Sequence, residues 1–316
     1  MRVLVTGATA PFGAALVRAL VEEPAVERVL GCAVGARGAE LPDDDDRFGY
    51  HPIDLVRARA VHDLLWGPVR DAGVDAIVHA AQHRDPAARG RRVHALNVEA
   101  TRQLLLACER HPTIRHVVVR SSADVYAVRA SEPNLLDEDA PLDLDPAAPQ
   151  WRRDRVEADL TACARLGTTP VRVTVLRCAE LLAPGTGSQL WDYLRSRVCL
   201  RPLGFDPMLN VLSMADAVEA FRRALTRGAQ GVFNVPGADT LPLSRVIARW
   251  GRLDVPVPGP LLAPLYRLRA RGLGLTFRYD LNLSRFHFGG VLDGRRAAEI
   301  LGYRPTHPIA WPVPRR

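Results

Sequence analysis

The sequence predicts an α/β protein: a Rossmann-type doubly wound parallel sheet with a smaller C-terminal substrate-binding or lid region. Three observations predict it. Short apolar runs of strand length alternate with segments of helical periodicity through the first 182 residues. Those runs are apolar almost without interruption, as strands covered on both faces are. A glycine-bearing turn, Thr6-Gly7-Ala8-Thr9-Ala10-Pro11-Phe12-Gly13, joins the first run to the first helical segment, the context in which such a turn cradles a phosphate.

Residues 2–5 are the first strand candidate, and residues 12–21 carry helical spacing. Residues 29–34 are a second apolar run, and residues 48–53 precede Asp54-Leu55. Residues 76–80 read as a buried strand. Residues 97–108 read as a helix, with Val98, Leu104, Leu105, Ala107 and Cys108 at helical intervals. Residues 117–119 and 171–176 are strand candidates, and residues 154–166 are helical between them. After residue 182 prolines and glycines become frequent, beginning with Pro184-Gly185-Thr186-Gly187. There residues 231–235 predict a strand and residues 242–250 a helix. A stretch over 261–275 mixes leucines with Arg267, Arg269 and Arg271; its alternatives are a packed surface helix, a lid and a membrane-surface helix. The expected division is therefore 1–182 for a dinucleotide-binding unit and 183–316 for a smaller region intertwined with it.

Composition narrows the partners. The 316 residues are 47% hydrophobic and 24% charged, a globular profile. The net charge is +7, but the arginines are scattered through helical segments instead of clustering with aromatics, which argues against nucleic acid. No apolar run reaches the roughly 18 residues of a membrane span. Cys32, Cys108, Cys163, Cys178 and Cys199 have no metal-like spacing and sit in apolar runs, as buried thiols of a reduced compartment do. No metal site is expected. The first strand starts at Arg2 without a preceding leader, so the expected location is cytoplasmic.

The phosphate turn offers the free N–H groups and partial positive charge of a helix N-terminus. Gly7 permits the tight turn and Gly13 lets helix and strand approach. Further along come Val78-His79-Ala80-Ala81-Gln82, Asn97-Val98-Glu99-Ala100-Thr101, Ser121-Ser122-Ala123-Asp124-Val125-Tyr126, Leu176-Arg177 and Ala183-Pro184-Gly185, with Asp216 later. In order and spacing these motifs resemble the extended short-chain dehydrogenase/reductase superfamily, over roughly residues 1–250 with a weaker tail to Arg304. The resemblance implies a nicotinamide dinucleotide held by Gly7, Thr9, Ala10, Pro11, Phe12 and Gly13 at its phosphates and by Asp54 and Leu55 at adenine. It places Ala80, Ala81, Gln82, Asn97, Ser121, Arg155 and Cys178 along the rest of the cofactor, with Ser122 as the catalytic hydroxyl.

Two departures stand out. Ala10 replaces the middle glycine of the superfamily's Thr-Gly-x-x-Gly-x-x-Gly pattern. More consequentially, the chain contains no lysine: all 42 Lys+Arg positions are arginine. The superfamily's Tyr-x-x-x-Lys pair therefore cannot exist, and the equivalent stretch reads Trp151-Arg152-Arg153-Asp154-Arg155. Tyr193-x-x-x-Arg197 imitates the pair but lies beyond the strand at 171–176.

The expected cofactor is NADP(H). The second strand ends in Gly31-Cys32-Ala33-Val34-Gly35 without the acid that an NAD site usually carries. Arg37 follows, a bidentate partner for a 2′-phosphate. Trp151 donates a hydrogen bond but is no practical acid, and the pKa of Arg155, about 12.5–13.8 in general, makes it a poor proton donor. The proton in a carbonyl reduction would then come from Ser122 relaying water, from His83, or from the substrate's own phenol.

The first functional reading is an atypical NADPH-dependent ketoreductase acting on a small, polycyclic secondary metabolite. It is similar to the tyrosine-less reductases of aromatic polyketide (angucyclinone-type) pathways. A nucleotide-sugar epimerase or dehydratase is the second, and a non-catalytic dinucleotide-binding sensor the third.

Overall fold

The computed structural model describes residues 1–273 and 277–312. It opens with β1 (Arg2–Thr6), whose last four residues are buried, and turns sharply into α1 (Pro11–Glu22). Proline at the first helical position suits a helix start, since its missing N–H would be unpaired there anyway. β2 (Arg28–Ala33) and β3 (Phe48–Pro52) follow. α2 (Ala58–Leu64) runs on into a kinked turn, Leu65–Val69, that contains Pro68. Next come β4 (Ala76–His79), α3 (Arg91–His94), a wide helical turn at Ala95–Glu99, and α4 (Ala100–Glu109). The helix expected from residue 97 thus begins at Arg91. β5 (His116–Ser122), β6 (Leu135–Leu136), α5 (Gln150–Cys163) and β7 (Arg172–Cys178) complete the first half. α5 starts four residues before the expected 154, which puts Trp151 and Arg155 one turn apart on one helix face.

The second half is richer in structure than its prolines and glycines suggested. It holds β8 (Glu180–Leu181), α6 (Gln189–Leu194), β9 (Val198–Pro202), β10 (Met208–Leu212), α7 (Met214–Arg227) and β11 (Gly231–Val235). β12 (Asp239–Pro242), α8 (Leu243–Arg249), β13 (Leu253–Val257), α9 (Gly259–Leu273), α10 (Tyr279–Phe288) and β14 (Val291–Leu292) follow.

Among the described residues, seven strands form one sheet in the order β3-β2-β1-β4-β5-β7-β11. Every adjacent pair is parallel. Strand order reverses between β1 and β4, and a crevice opens there at the carboxyl ends of the strands. One face is covered by α1 and α7, where Phe12 meets Phe221 edge-on at 4.8 Å. The other is covered by α2, α4 and α5, with Leu104, Leu105 and Ala162 against Leu4, Ile77 and Val117. Burying each large apolar side chain stabilises by about 1.5–3 kcal/mol, so both faces are firmly held.

A separate aromatic-rich core joins α6, α9 and α10, with Tyr193, Tyr266, Phe277 and Phe286 buried together. Of the leucine/arginine stretch, residues up to 273 belong to α9. Leu262 and Tyr266 pack inward, and Leu261 and Leu268 are exposed. Residues 274 and 275 lie outside the described residues. No described helix is long and apolar enough to cross a membrane.

Candidate functional site

The crevice has two ends, and the phosphate end is built from backbone. Gly7 has φ +70°, and a Cβ there would stand 2.9 Å from Ala81 Cα. A Cβ on Gly13 would run into the Gly7 carbonyl. Both positions therefore require glycine. Ala10 does not: as N-cap of α1 it has φ −75° and ψ 151°, ordinary extended backbone that alanine adopts without strain. Its N–H donates to the Gly7 carbonyl at 3.0 Å. Thr9 and Pro11 are part-exposed at the turn, while Phe12 is buried beneath it.

A buried polar chain fixes this turn against β4. The Thr6 hydroxyl contacts His79 Nδ1 at 2.9 Å and accepts the N–H groups of Ala80 and Ala81, both at 3.2 Å. His79 Nε2 meets the Thr101 hydroxyl at 3.0 Å. Burial pushes the His79 imidazole down to about 4, so it is neutral near pH 7. Nothing in the motifs marked Thr6, His79 and Thr101 as a unit; only the sheet brings them together.

Around the adenosine side expected from the resemblance, Asp54 takes Arg92 at 2.8 Å and the Val56 N–H at 3.2 Å. Leu55 is buried in the core below. Tyr50, which sequence reasoning missed, donates to the Gly35 carbonyl at 2.9 Å and so shapes the end of β2. Arg37 lies just beyond and is held by the Pro42 carbonyl and by Asp43 at 2.8 Å. Asp43 is 95% exposed, so this ion pair is weak. Gln82 donates to the Arg120 carbonyl at 2.6 Å. Asn97 accepts the His83 N–H at 2.8 Å, pinning the loop after β4.

The end expected from the resemblance to be catalytic is built from charged side chains. Ser122 donates to Asp124 at 2.8 Å, and Arg155 donates to the same carboxylate oxygen at 2.8 Å. The Arg155 guanidinium lies over the Trp151 ring, 3.9 Å from its centroid. Burial alone would raise the Asp124 carboxyl, but Arg155 and Arg285 outweigh it and hold it below the usual carboxylate range. Asp124 is therefore ionised and is no acid at neutral pH. Glu180 closes the far wall, taking Arg285 and the Leu190 N–H at 3.0 Å. Asp124 lay inside the quoted serine motif; Glu180 and Arg285 carried no sequence signal.

Behind this wall the charges are structural. Ser121 donates its hydroxyl to Asp159, away from Ser122. Asp159 is gripped by Arg177 at 2.7 and 3.1 Å, and Arg177 reaches Tyr126 at 3.1 Å. Cys178 is buried at the end of β7, its thiol pushed up to about 12 by burial, and it lines the crevice without being reactive. Asp216 caps no ligand in this fold: it accepts the N–H groups of Thr306 and His307, tying the C-terminal tail to α7.

The crevice therefore brings Gln82, Ser122, Trp151, Arg155 and Cys178 around one recess of about 410 Å³. The glycine turn lies at the other end, and Arg37, Asp54 and Leu55 lie on the side where the resemblance expects adenosine. Buried polar atoms without a partner line the recess and the pocket beside it: Trp151 Nε1 and His83 Nδ1. Such atoms are rare unless a ligand satisfies them. With the glycine cradle they fit a dinucleotide lying from the turn to Ser122.

Comparison with known proteins agrees. Residues 3–235 match the model of the NAD dependent epimerase/dehydratase family. A Streptomyces protein named 3-diazoavenalumate denitrifying reductase is 31% identical, with 98% of each chain covered. An uncharacterized protein of Mycobacterium tuberculosis is also 31% identical, over 96% of this chain and 80% of the relative. Among solved structures, the dTDP-glucose 4,6-dehydratase DesIV from Streptomyces venezuelae superposes with a TM-score of 0.72 at 22% identity, covering 98% of this chain and 94% of the other.

Proposed function

The chain belongs to the NAD dependent epimerase/dehydratase family, and from that premise we propose that it is a reductase that needs no acid from the protein. Its donor is NADPH, and its acceptor is a small aromatic or polycyclic metabolite. One observation carries this reading. Where the family's tyrosine and lysine would act, Trp151 is stacked on Arg155, and Arg155 is held by an ionised Asp124.

When bound, the dinucleotide supplies a hydride. The turn from Gly7 to Gly13 holds its phosphates through backbone N–H groups, and Asp54 faces its adenosine. Arg37 exchanges the exposed Asp43 for a 2′-phosphate, the basis for preferring NADPH. Residues 1–182 do this work, and residues 183–316 supply Glu180's partner Arg285 and the substrate wall.

Trp151 is buried with one face against Arg155 and brings one unpartnered N–H donor to the recess. Arg155 offsets negative charge developing on an acceptor oxygen. Ser122 keeps its hydroxyl oriented by Asp124, with an acceptor lone pair left for the substrate's own hydroxyl. General acid catalysis is worth about 10²–10⁴-fold, and two acceptor classes avoid that loss. A ketone beside a phenol brings its own proton. An aryl diazonium takes up hydride and releases dinitrogen, so no oxygen needs protonation. The relative named for a diazo substrate, similar over its full length, favours the second class.

A nucleotide-sugar epimerase would need a base to deprotonate a hydroxyl; the ionised Asp124 beside Ser122 is already engaged by Arg155, which lowers its basicity. Absorbance assays of NADPH and NADH with hydroxyaryl ketones, aryl diazonium salts and UDP- or dTDP-sugars test the reading. The expected result is NADPH oxidation with an aromatic acceptor and no change in the sugars. Sugar epimerisation without net dinucleotide oxidation would overturn it. Cofactor binding that survives Ser122→Ala with no turnover by any acceptor in either form would favour a sensor.

A further inference from the structure

Arg120 is the cation of the crevice that the fold does not use. It sits on β5 immediately before Ser121 and Ser122, with its side chain on the same face of the sheet as α1. The other arginines here are engaged: Arg155 by Asp124, Arg285 by Glu180, Arg177 by Asp159 and Arg84 by the Gly185 carbonyl. Among the described residues, the Arg120 guanidinium has no hydrogen-bond or ion-pair partner. It lies over the face of Phe12, 4.8 Å from the ring centroid. It lines both the recess that holds Trp151 Nε1 and the neighbouring pocket that holds His83, each with an unpartnered polar atom.

An unpaired cation half out of water is costly. Burial, with Arg155 and Arg84 nearby, pushes Arg120 down to about 10. Two guanidinium groups, Arg120 and Arg155, line the recess; Arg155 has Asp124 as its counter-ion, so an anion entering the recess meets Arg120 uncompensated. The cation–π contact places the guanidinium itself over Phe12, and its N–H groups, which lie in the guanidinium plane, stay available to an anion.

We propose that Arg120 is an oxyanion-binding residue of the crevice, taking a carboxylate or phosphate group with the Trp151 N–H beside it. The inference rests on the crevice being a ligand site as read above, but not on the reaction. The oxyanion has two possible sources: the diphosphate of the dinucleotide, since Phe12 lies in the phosphate turn, or an acidic group on the substrate.

Calorimetric titrations of wild type, Arg120→Met and Arg120→Lys with NADPH, inorganic pyrophosphate and cinnamate, the last with and without bound NADPH, separate these sources. Melting curves confirm that each variant is folded; Arg120→Lys keeps the test alive if Arg120→Met is not. A loss of about tenfold or more for NADPH and pyrophosphate together assigns the dinucleotide diphosphate. The same loss for cinnamate alone, absent for its methyl ester in wild type, assigns a substrate carboxylate. Partial retention in Arg120→Lys is expected in either case. If wild type binds no NADPH but loses pyrophosphate or cinnamate binding on substitution, the oxyanion site stands while the reductase reading fails. If all three probes bind the variants as they bind wild type, or bind none of them, the proposal is wrong.

Discussion

The two ends of the crevice depart from the family in different ways. At the phosphate end the departure is Ala10 for glycine, and it introduces no backbone strain: the position has an extended φ of −75°, and its neighbours Gly7 and Gly13 keep the contacts that only glycine allows. At the catalytic end both Tyr and Lys are replaced, and the replacements are bound into a new network of Ser122, Asp124, Arg155 and Trp151. A site made of backbone tolerates little and has barely changed. A site made of side chains has been rebuilt around other charges. At the centre of that network Asp124 accepts from two partners at 2.8 Å.

The sharpest way to break the comparison is to attack the charged wall behind the catalytic end. Arg177→Met strands Asp159 inside the protein, and breaking such a buried pair costs about 3–5 kcal/mol. The expected outcome is a large drop in melting temperature, whatever ligand is present. Arg177 is fully engaged and Arg120 is not, so Arg120→Met should leave thermal melting nearly unchanged. Equal losses would mean the two arginines play one role.

At the phosphate end, Gly13→Ala pushes a methyl group into the Gly7 carbonyl. Overpacking of this kind costs about 1–3 kcal/mol, and dinucleotide binding in a calorimetric titration should vanish with it. Ala10→Gly, in contrast, should restore a glycine where none is needed and leave affinity within about threefold.

The buried His79 gives the phosphate end a pH signature. Its value falls from 6.5 to about 4 on folding, so the unfolded chain binds the extra proton between those limits. Stability is fully present above pH 6.5 and is lost as pH falls toward 4, by up to about 3 kcal/mol from this group. Melting curves across that range should show it, and His79→Gln should flatten the slope. An unchanged slope would remove His79 from the account, though His116, also lowered to about 4, contributes in the same window.

Smaller effects are expected from the catalytic end itself. Ser122→Ala should lower turnover about tenfold with little change in dinucleotide affinity. Trp151→Tyr combined with Arg155→Lys should improve turnover by less than about threefold, because a restored pair would face a substrate placed for another network. A large gain would show an ordinary site that had merely been damaged.

Most of the sheet was legible in the sequence because its strands are buried on both faces and read as plain apolar runs. Thr6-Gly7 to Gly13 was legible because backbone geometry dictates residue type. The second half was legible only in part: residues 231–235 and 242–250 were found as β11 and α8, whereas strands such as β9 and β13 are short and part-exposed, so neither apolar continuity nor alternation marks them. Ser122, Trp151 and Arg155 were found through their motif positions. Glu180, Arg285 and Arg120 were not, because only folding brings the end of β5 to β8 at the recess and α10 to β8 in the pocket beside it. The start of α5 at Gln150 escaped because Pro149 and charged residues hide its helical period.

The central claim is that this crevice still holds a nicotinamide dinucleotide although the family's catalytic pair is gone. Calorimetric titration of the protein with NADPH and, separately, with NADH tests it most directly. The account predicts binding of NADPH, with NADH weaker for want of a 2′-phosphate opposite Arg37. Binding of neither would contradict it, and would mean that a cradle with its glycines intact no longer serves a dinucleotide.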